Sequence, residues 1–288
     1  MPNPLPSPIV SSRARLNEFT LTTPDGLSLH GREWAAAKPR AVVGLVHGLG
    51  EHGGRYDHVG DCFAEHGVAL LSTDLRGHGL SEGRRGHAKS YDLLMGDISQ
   101  LLETARLRHP NLPCFLYGHS LGGNLALNHI VENKPKLAGA IITAPLLRLA
   151  FAPPAWQTRL LKLMKRGGLE IAMPSGLDDK ELSRDLNVVR AYRNDPLTHD
   201  RVSPSLAVDM VDHGERLLKR AGEIDTPLLL IHGAEDQITS PAATAEFVEN
   251  LKSEHVFKLW EGLRHEPHNE PERKAVLSFM LRWLDDHS

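Results

Sequence analysis

The stretch FLYGHSLGGNLAL, residues 115–127, places a serine between two glycines where an apolar segment gives way to a helical pattern. Gly118-x-Ser120-x-Gly122 is the nucleophile-elbow motif, in which a tight strand-to-helix turn exposes a serine hydroxyl. The small residues let strand and helix approach, and the helix N-terminus directs free N–H groups toward a developing oxyanion. The alternative is that Ser120 only caps the helix. The motif predicts a nucleophilic serine if a base and an acid follow.

A serine nucleophile needs a histidine base and an acid, and this motif expects them later in the chain, the acid first. Asp236 follows the apolar run 228–231, with Glu235 beside it as the rival acid. His265 and His268 both follow the last apolar run. We interpret Asp236 and His265 as the acid and the base, with His268 as the alternative that lines a pocket.

A glycine-rich segment, LVHGLGEHGGRY (residues 45–56), follows an earlier apolar run. Such a loop can supply the second N–H of an oxyanion hole, the first coming from the residue after the nucleophile. We therefore expect the N–H groups of Leu49 and Leu121 to form this hole.

Several histidines resemble metal ligands, namely His47, His52, His265 and His268. The segment HEPHNE is not H-E-x-x-H, and Pro267 would break the helix that this motif needs. We therefore predict no catalytic metal. In DLRGHGLSEG (residues 74–83), we interpret Asp74, Arg76 and His78 as structural groups that anchor a loop.

Short apolar runs alternate with helical segments along the chain, after a hairpin pattern over 19–34. The runs cover 41–48, 68–74, 114–120, 137–145, 226–233 and 255–262, and the helical segments include 90–109, 121–134, 241–252 and 270–287. Strands buried on both faces that alternate with helices predict a mostly parallel, doubly wound α/β sheet. Residues 146–225 interrupt the alternation, which predicts a helical cap inserted before the acid-bearing strand.

Composition excludes several classes of protein. The chain has 288 residues, 41% hydrophobic residues and a net charge of −3, which argues for a globular protein and against a nucleic-acid binder. Cys62 and Cys114 are predicted to be reduced thiols of a cytoplasmic protein. The start, MPNPLPSPIVSS, has four prolines and no basic segment, which predicts a frayed end and no signal peptide. Prolines and Arg148 interrupt the most apolar stretch, 137–156, too early for a membrane span.

Within the predicted cap, PPAWQTRLLKLMKRGG has the pattern of an amphipathic helix. Its apolar face is made of Trp156, Leu160, Leu163 and Met164, and basic residues lie opposite. One interpretation is a helix that packs on the pocket mouth, and the other is a helix that docks transiently on a lipid surface.

Six stretches together resemble the monoacylglycerol lipase and lysophospholipase group of the α/β-hydrolases. They are HGLGEHGGRY, DLRGHGLSEG, GHSLGG, YRNDPL, HGAEDQIT and EGLRHEPHNE. The resemblance implies a single α/β-hydrolase domain over 1–288, the triad Ser120, Asp236 and His265, and the oxyanion positions Leu49 and Leu121. It also implies that Glu51, Arg55, Tyr192 and His268 line the polar end of the pocket, near a glycerol moiety.

The expected activity is hydrolysis of a small lipid or ester, most specifically a monoacylglycerol, through an acyl-enzyme and without a cofactor. Because fold does not fix substrate, a lysophospholipase, a general carboxylesterase, a thioesterase and an aminopeptidase stay open. A non-catalytic binding protein that keeps the fold is a further alternative.

Overall fold

One sheet of eight strands carries the site. The computed structural model describes residues 15–288, so the start for which we predict a frayed end lies outside the described residues. The strands are β1 Arg15–Thr22, β2 Ser28–Ala35, β3 Ala41–Val46, β4 Val68–Thr73, β5 Cys114–His119, β6 Gly139–Thr143, β7 Met173–Pro174, β8 Arg201–Val202, β9 Leu228–Gly233 and β10 His255–Trp260. The α-helices are α1 Asp57–Glu65, α2 Tyr91–Arg108, α3 Leu121–Asn133, α4 Ala155–Arg166, α5 Leu186–Asn194, α6 Pro204–Arg220, α7 Pro241–Glu249 and α8 Arg273–Asp286.

The strand order in this sheet is β1-β2-β4-β3-β5-β6-β9-β10, and β7 pairs with β8 apart from it. The hairpin β1–β2 is antiparallel, as is the contact of β2 with β4, whereas the pairs from β4 to β10 are parallel. The predicted hairpin, strands and mostly parallel sheet are therefore confirmed.

The central strands are apolar throughout because helices cover both faces of the sheet. In β3, Val42 contacts the core under α2, α3, α6 and α7, while Val43 belongs to the core under α1 and α8. Successive side chains of a strand point to opposite faces, so a strand buried on both sides has no polar alternation. This arrangement confirms the doubly wound α/β fold.

β10 differs from the expectation of a strand buried on both faces. Val256 and Leu259 are 39% and 38% exposed. The physical reason is position, because β10 is the last strand of the sheet and has β9 as its neighbour on one side.

The residues 146–225 contain α4, β7, α5, β8 and α6. The inner side of α6, including Leu206 and Met210, is buried in the same core as α3, while α4 lies on α6. Among these elements, α4 lies outside the helix layer on the sheet, whereas Val202 of β8 reaches the same core as α6. The extent of the cap within 146–225 stays a prediction. Among residues 15–288, no helix combines the length and the apolar character that crossing a bilayer would require.

Candidate active site

Ser120 occupies a strained turn between β5 and α3. Its backbone angles are φ 54° and ψ −117°, a positive φ that costs a residue with a Cβ about 1–2 kcal/mol. The Ser120 side chain makes no capping hydrogen bond to α3, although the residue stands at the capping position. The structure therefore differs from the alternative in which Ser120 serves only as a helix cap.

Both glycines of the motif are required by close backbone approach. A Cβ at Gly122 would lie 2.0 Å from the carbonyl oxygen of Val46, and one at Gly118 would lie 2.5 Å from that of Gly122. Both distances are far below van der Waals contact. The spacing predicted from the sequence thus has a direct steric cause in the packing of α3 against β3 and β5.

The structure joins the three residues predicted for the triad in one buried hydrogen-bonded chain. His265 Nε2 lies 2.9 Å from Ser120 Oγ, and His265 Nδ1 lies 2.8 Å from Asp236 Oδ2. Ser120 follows β5, Asp236 follows β9 and His265 follows β10. Because the carboxyl ends of parallel strands meet at one edge of the sheet, residues far apart in the chain come within contact there.

The Asp236 carboxylate is held from several directions. Oδ1 accepts hydrogen bonds from the N–H groups of Ile238 (2.7 Å) and Thr239 (3.0 Å), and Oδ2 accepts one from the Thr239 hydroxyl (2.8 Å). Burial alone would raise the pKa of Asp236, but His265 and His232 together hold that pKa far below its ordinary value. Glu235, the rival acid, is exposed.

His265 is buried against this carboxylate. Burial lowers the pKa of His265, but the Asp236 carboxylate outweighs burial and leaves the pKa above its ordinary value of 6.5. The neutral imidazole is the form that can take a proton from a serine hydroxyl.

The two predicted oxyanion groups lie beside Ser120. Leu49 lines the cavity that opens at Ser120, and Leu121 is the first residue of α3. Over residues 15–288, neither the Leu49 N–H nor the Leu121 N–H has a hydrogen-bond partner. The oxyanion hole formed by these two N–H groups stays a prediction.

The cavity has a volume of about 250 Å³ and a polar wall. Arg55 forms ion pairs with Glu51 (2.6 Å) and with Glu266 (2.6 Å), and the Tyr192 ring lies 4.9 Å from its guanidinium carbon. The second oxygen of Glu51 accepts a hydrogen bond of 2.6 Å from the Gly48 N–H. Burial would raise the pKa of Glu51, but Arg55 and the nearby histidines hold it well below its ordinary value.

His268 does not reach the surface of this cavity. The resemblance implies a residue that lines the pocket, but the His268 side chain is fully buried and stacks on the Tyr56 ring at 4.7 Å. His268 belongs to the short 3-10 helix Pro267–Asn269, whose three residues are buried. His265 and His268 are only three residues apart in the sequence, yet they occupy different environments.

The structure adds three polar residues to the site residues predicted from the sequence. His232 and Thr239 contact Asp236, and Glu266 pairs with Arg55. The sequence position of each could have pointed to the site. Glu266 directly follows His265, and His232 and Thr239 belong to the same HGAEDQIT stretch as Asp236.

Asp74 and Arg76 of the DLRGHGLSEG stretch have structural contacts. Asp74 accepts hydrogen bonds from the N–H groups of Gly53 and Leu80, and Arg76 forms a buried ion pair with Asp97 (2.7 Å). Within the described residues, no group of His, Cys, Asp or Glu is placed to hold a metal ion. The structural interpretation of residues 74–83 agrees with these contacts.

Comparison with known proteins identifies the family. The sequence model of the family described as "Serine aminopeptidase, S33" matches residues 37–272. A monoacylglycerol lipase of Mycolicibacterium smegmatis is 33% identical over 86% of this chain and 89% of its own length. An uncharacterized abhydrolase domain-containing protein of Dictyostelium discoideum is 38% identical over 92% of this chain, which spans 28% of that relative's length.

A solved structure agrees with both sequence comparisons. The monoacylglycerol lipase of Paleococcus ferrophilus superposes with a TM-score of 0.84 at 33% identity, covering 90% of this chain and 99% of that one. The resemblance found in the six sequence stretches is thereby confirmed. The chain belongs to the serine aminopeptidase S33 family, has the α/β-hydrolase fold and is a relative of monoacylglycerol lipases.

Proposed function

We propose that this protein is a serine esterase that hydrolyses monoacylglycerols to glycerol and a fatty acid. The observation that carries the proposal is the chain Ser120–His265–Asp236, which opens into a cavity with a polar wall. Relatives named monoacylglycerol lipase support the substrate class.

In the proposed acylation step, Ser120 Oγ attacks the ester carbonyl carbon while His265 Nε2 takes the hydroxyl proton. The N–H groups of Leu49 and Leu121 donate to the oxygen of the tetrahedral intermediate, and Asp236 orients the imidazolium. The ester C–O bond then breaks, and His265 returns the proton to the departing glycerol oxygen.

Deacylation repeats this chemistry with water. His265 removes a proton from water, the hydroxyl oxygen attacks the acyl-enzyme, and Ser120 leaves with the proton that His265 gives back. In this proposed cycle, residues of the chain carry out every proton transfer.

The charge of the cavity favours a neutral leaving group over an anionic one. Its lining includes five carboxylates and one arginine, and that arginine is already paired with Glu51 and Glu266. A phosphate-bearing lysophospholipid would bring like charge to the exposed Asp178 and Asp200, which is unfavourable. The geometry thus supports glycerol esters over anionic lysophospholipids. An aminopeptidase stays the second candidate, because the matching family is described as "Serine aminopeptidase, S33" and the excess of carboxylates would attract a cationic amine.

A substrate panel tests the proposal. We expect hydrolysis of a 1-monoacylglycerol to exceed that of the triacylglycerol and of the lysophosphatidic acid with the same acyl chain. A fluorophosphonate probe should label the wild-type protein at Ser120. Faster cleavage of an aminoacyl amide than of every ester would contradict the proposal and indicate an aminopeptidase. A wild-type protein that the probe does not label would indicate a non-catalytic binding protein.

The pH dependence of activity should follow His265. Asp236 raises the pKa of His265 above 6.5, so the neutral base predominates only at a pH above that raised value. The value of kcat/KM should therefore rise with pH through a midpoint above 6.5. A pH–rate profile measures the midpoint, and the profile in EDTA should superimpose on it. A midpoint below 6.5 would contradict the assignment of His265, and loss of activity in EDTA restored by zinc would support a metal enzyme.

Tyr192→Phe tests the glycerol pocket. The Tyr192 hydroxyl lies at the polar wall, 3.3 Å from the Gly50 carbonyl oxygen. If it also contacts glycerol, its loss should slow monoacylglycerol hydrolysis about five- to a hundredfold and leave the ethyl ester of the same acid nearly unchanged. Equal losses of kcat/KM on both substrates would mean that Tyr192 supports the loop that contains Gly50 instead of the substrate.

We further propose that α4 docks transiently on a lipid surface. Its apolar residues face solvent, with Trp156, Leu160 and Leu163 being 64%, 47% and 67% exposed. The opposite side of α4 is tied to α6, where Lys165 pairs with Asp209 and Lys162 lies 3.5 Å from Asp212. An exposed apolar helix face suits the surface of a lipid aggregate.

Vesicle sedimentation tests this contact. Leu163→Glu should lower binding to phosphatidylcholine vesicles that contain monoacylglycerol, while activity on a water-soluble short-chain ester stays unchanged. Leu107→Glu is the matched control, because Leu107 is 74% exposed on α2. Equal binding by the two variants would contradict docking through α4. The cytoplasmic location stays a prediction from the sequence.

A further inference from the structure

A second histidine contacts the carboxylate of the proposed triad. Asp236 Oδ2 lies 2.8 Å from His265 Nδ1 and 3.0 Å from His232 Nε2, so both rings meet the same oxygen. His232 belongs to β9 and is fully buried, four residues before Asp236. It does not line the cavity, so it cannot contact substrate directly.

The direction of this hydrogen bond follows from the chemistry of the partners. An ionised carboxylate only accepts, so His232 Nε2 must carry the proton that it donates. His232 Nδ1 lies 2.9 Å from the Thr244 hydroxyl, which can donate to it. Thr244, on α7, thereby favours the tautomer that presents Nε2–H to Asp236.

The contact acts on both the position and the charge of Oδ2. The N–H groups of Ile238 and Thr239 hold Oδ1. His232 binds the other oxygen, the one that faces His265. A donor at that oxygen draws part of its negative charge away from the imidazole.

We propose that His232 is a positioning residue for the triad, one that fixes Asp236 Oδ2 and limits the charge that this oxygen presents to His265. This inference rests on the proposed function, because it assigns His232 a role in the same hydrolysis. It predicts that loss of the donor strengthens the attraction between Asp236 and the protonated His265, so that the rising part of the pH–rate profile moves to higher pH.

Other groups also face His265, and a variant at His232 leaves them in place. Three carboxylates face it, those of Asp236, Glu266 and Glu51, and the last two are paired with Arg55. The Thr239 hydroxyl lies 3.4 Å from His265 Nδ1, and the centre of the His119 ring lies 4.9 Å from that of His265. Among the hydrogen-bond partners of His232 are Asp236, Thr239 and Thr244. A shift of the profile in a His232 variant is therefore transmitted through Asp236 Oδ2, either directly or through the Thr239 hydroxyl that donates to the same oxygen.

The experiment compares His232→Leu with His232→Gln on a monoacylglycerol. We expect His232→Leu to lower kcat about tenfold and to move the midpoint of kcat/KM upward by about half to one pH unit, with KM nearly unchanged. His232→Gln should stay close to the wild type in both quantities, because its amide can donate to Oδ2. Thr244→Val, which removes the hydroxyl at Nδ1, should produce a smaller shift in the same direction and keeps the test valid if His232→Leu does not fold.

The outcomes separate this inference from the proposed function. If the wild-type protein hydrolyses the monoacylglycerol and Ser120→Ala does not, the proposed function holds whatever His232 does. If His232→Leu and His232→Gln then lose activity alike with the midpoint unmoved, or if Thr244→Val leaves the midpoint unmoved, His232 is only a packing residue and the inference is overturned.

Discussion

Replacing Ser120 with alanine is expected to lower kcat by about 10⁵- to 10⁶-fold, because the attacking oxygen is lost and water has no equivalent position. The fold should survive the change. Serine and alanine carry the same Cβ, so the positive φ at this turn costs both about the same, and the Ser120 hydroxyl makes no cap to α3. Steady-state kinetics measure the loss, and thermal unfolding measures the fold.

Two comparisons make this result specific. Ser99→Ala is the matched control, because the Ser99 hydroxyl bonds to Met95 and His129 on the helices and does not line the cavity. The double variant Ser120→Ala/His265→Ala should be no slower than Ser120→Ala alone, since the residues act as a unit. Hydrolysis by Ser120→Ala within tenfold of the wild type would contradict the covalent mechanism.

Asp236→Asn is expected to lower kcat by about 10³- to 10⁴-fold with the fold intact. An amide has no negative charge to stabilise the imidazolium, and its NH₂ group facing His265 Nδ1 would favour the tautomer whose Nε2 proton blocks general-base action. Removing the charge also removes the interaction that raises the pKa of His265.

Glu235→Gln is the control for this variant. Glu235 is adjacent in sequence but exposed, so its loss should change kcat less than about twofold. Kinetics on one monoacylglycerol compare the two directly. Activity retained in Asp236→Asn and lost in Glu235→Gln would reverse the assignment of the acid.

Much of this fold could be predicted because its signals are local. The apolar runs at β3, β5 and β9 reflect strands buried on both faces, and the two glycines around Ser120 reflect backbone contacts within one strand–turn–helix unit. The order of serine, acid and histidine then constrained which loops had to meet. The sequence thus indicated both the architecture and the residues brought together at the edge of the sheet.

Other features depend on what packs beside a residue, which a linear pattern does not contain. His265 and His268 lie in the same short segment, yet one contacts Ser120 and the other turns into the core against Tyr56. β10 has the apolar pattern of an inner strand, yet it lies at the edge of the sheet. α4 is amphipathic by sequence, but the tertiary structure decides which face meets α6: Lys162 and Lys165 lie on that side, and the apolar residues face solvent.

The sequence by itself therefore determined three features: the strand–helix alternation, the strained serine turn and the identity of the three residues that form the hydrogen-bonded chain. Each of them follows from local steric requirements or from the order and spacing of residues along the chain. Only the tertiary structure decided the partners that set the charges at the site. The pairing of Arg55 with Glu266 and the second histidine on Asp236 join side chains across different loops and strands. Their effect on protonation depends on distance and burial, and both quantities exist only once the sheet and its covering helices have formed.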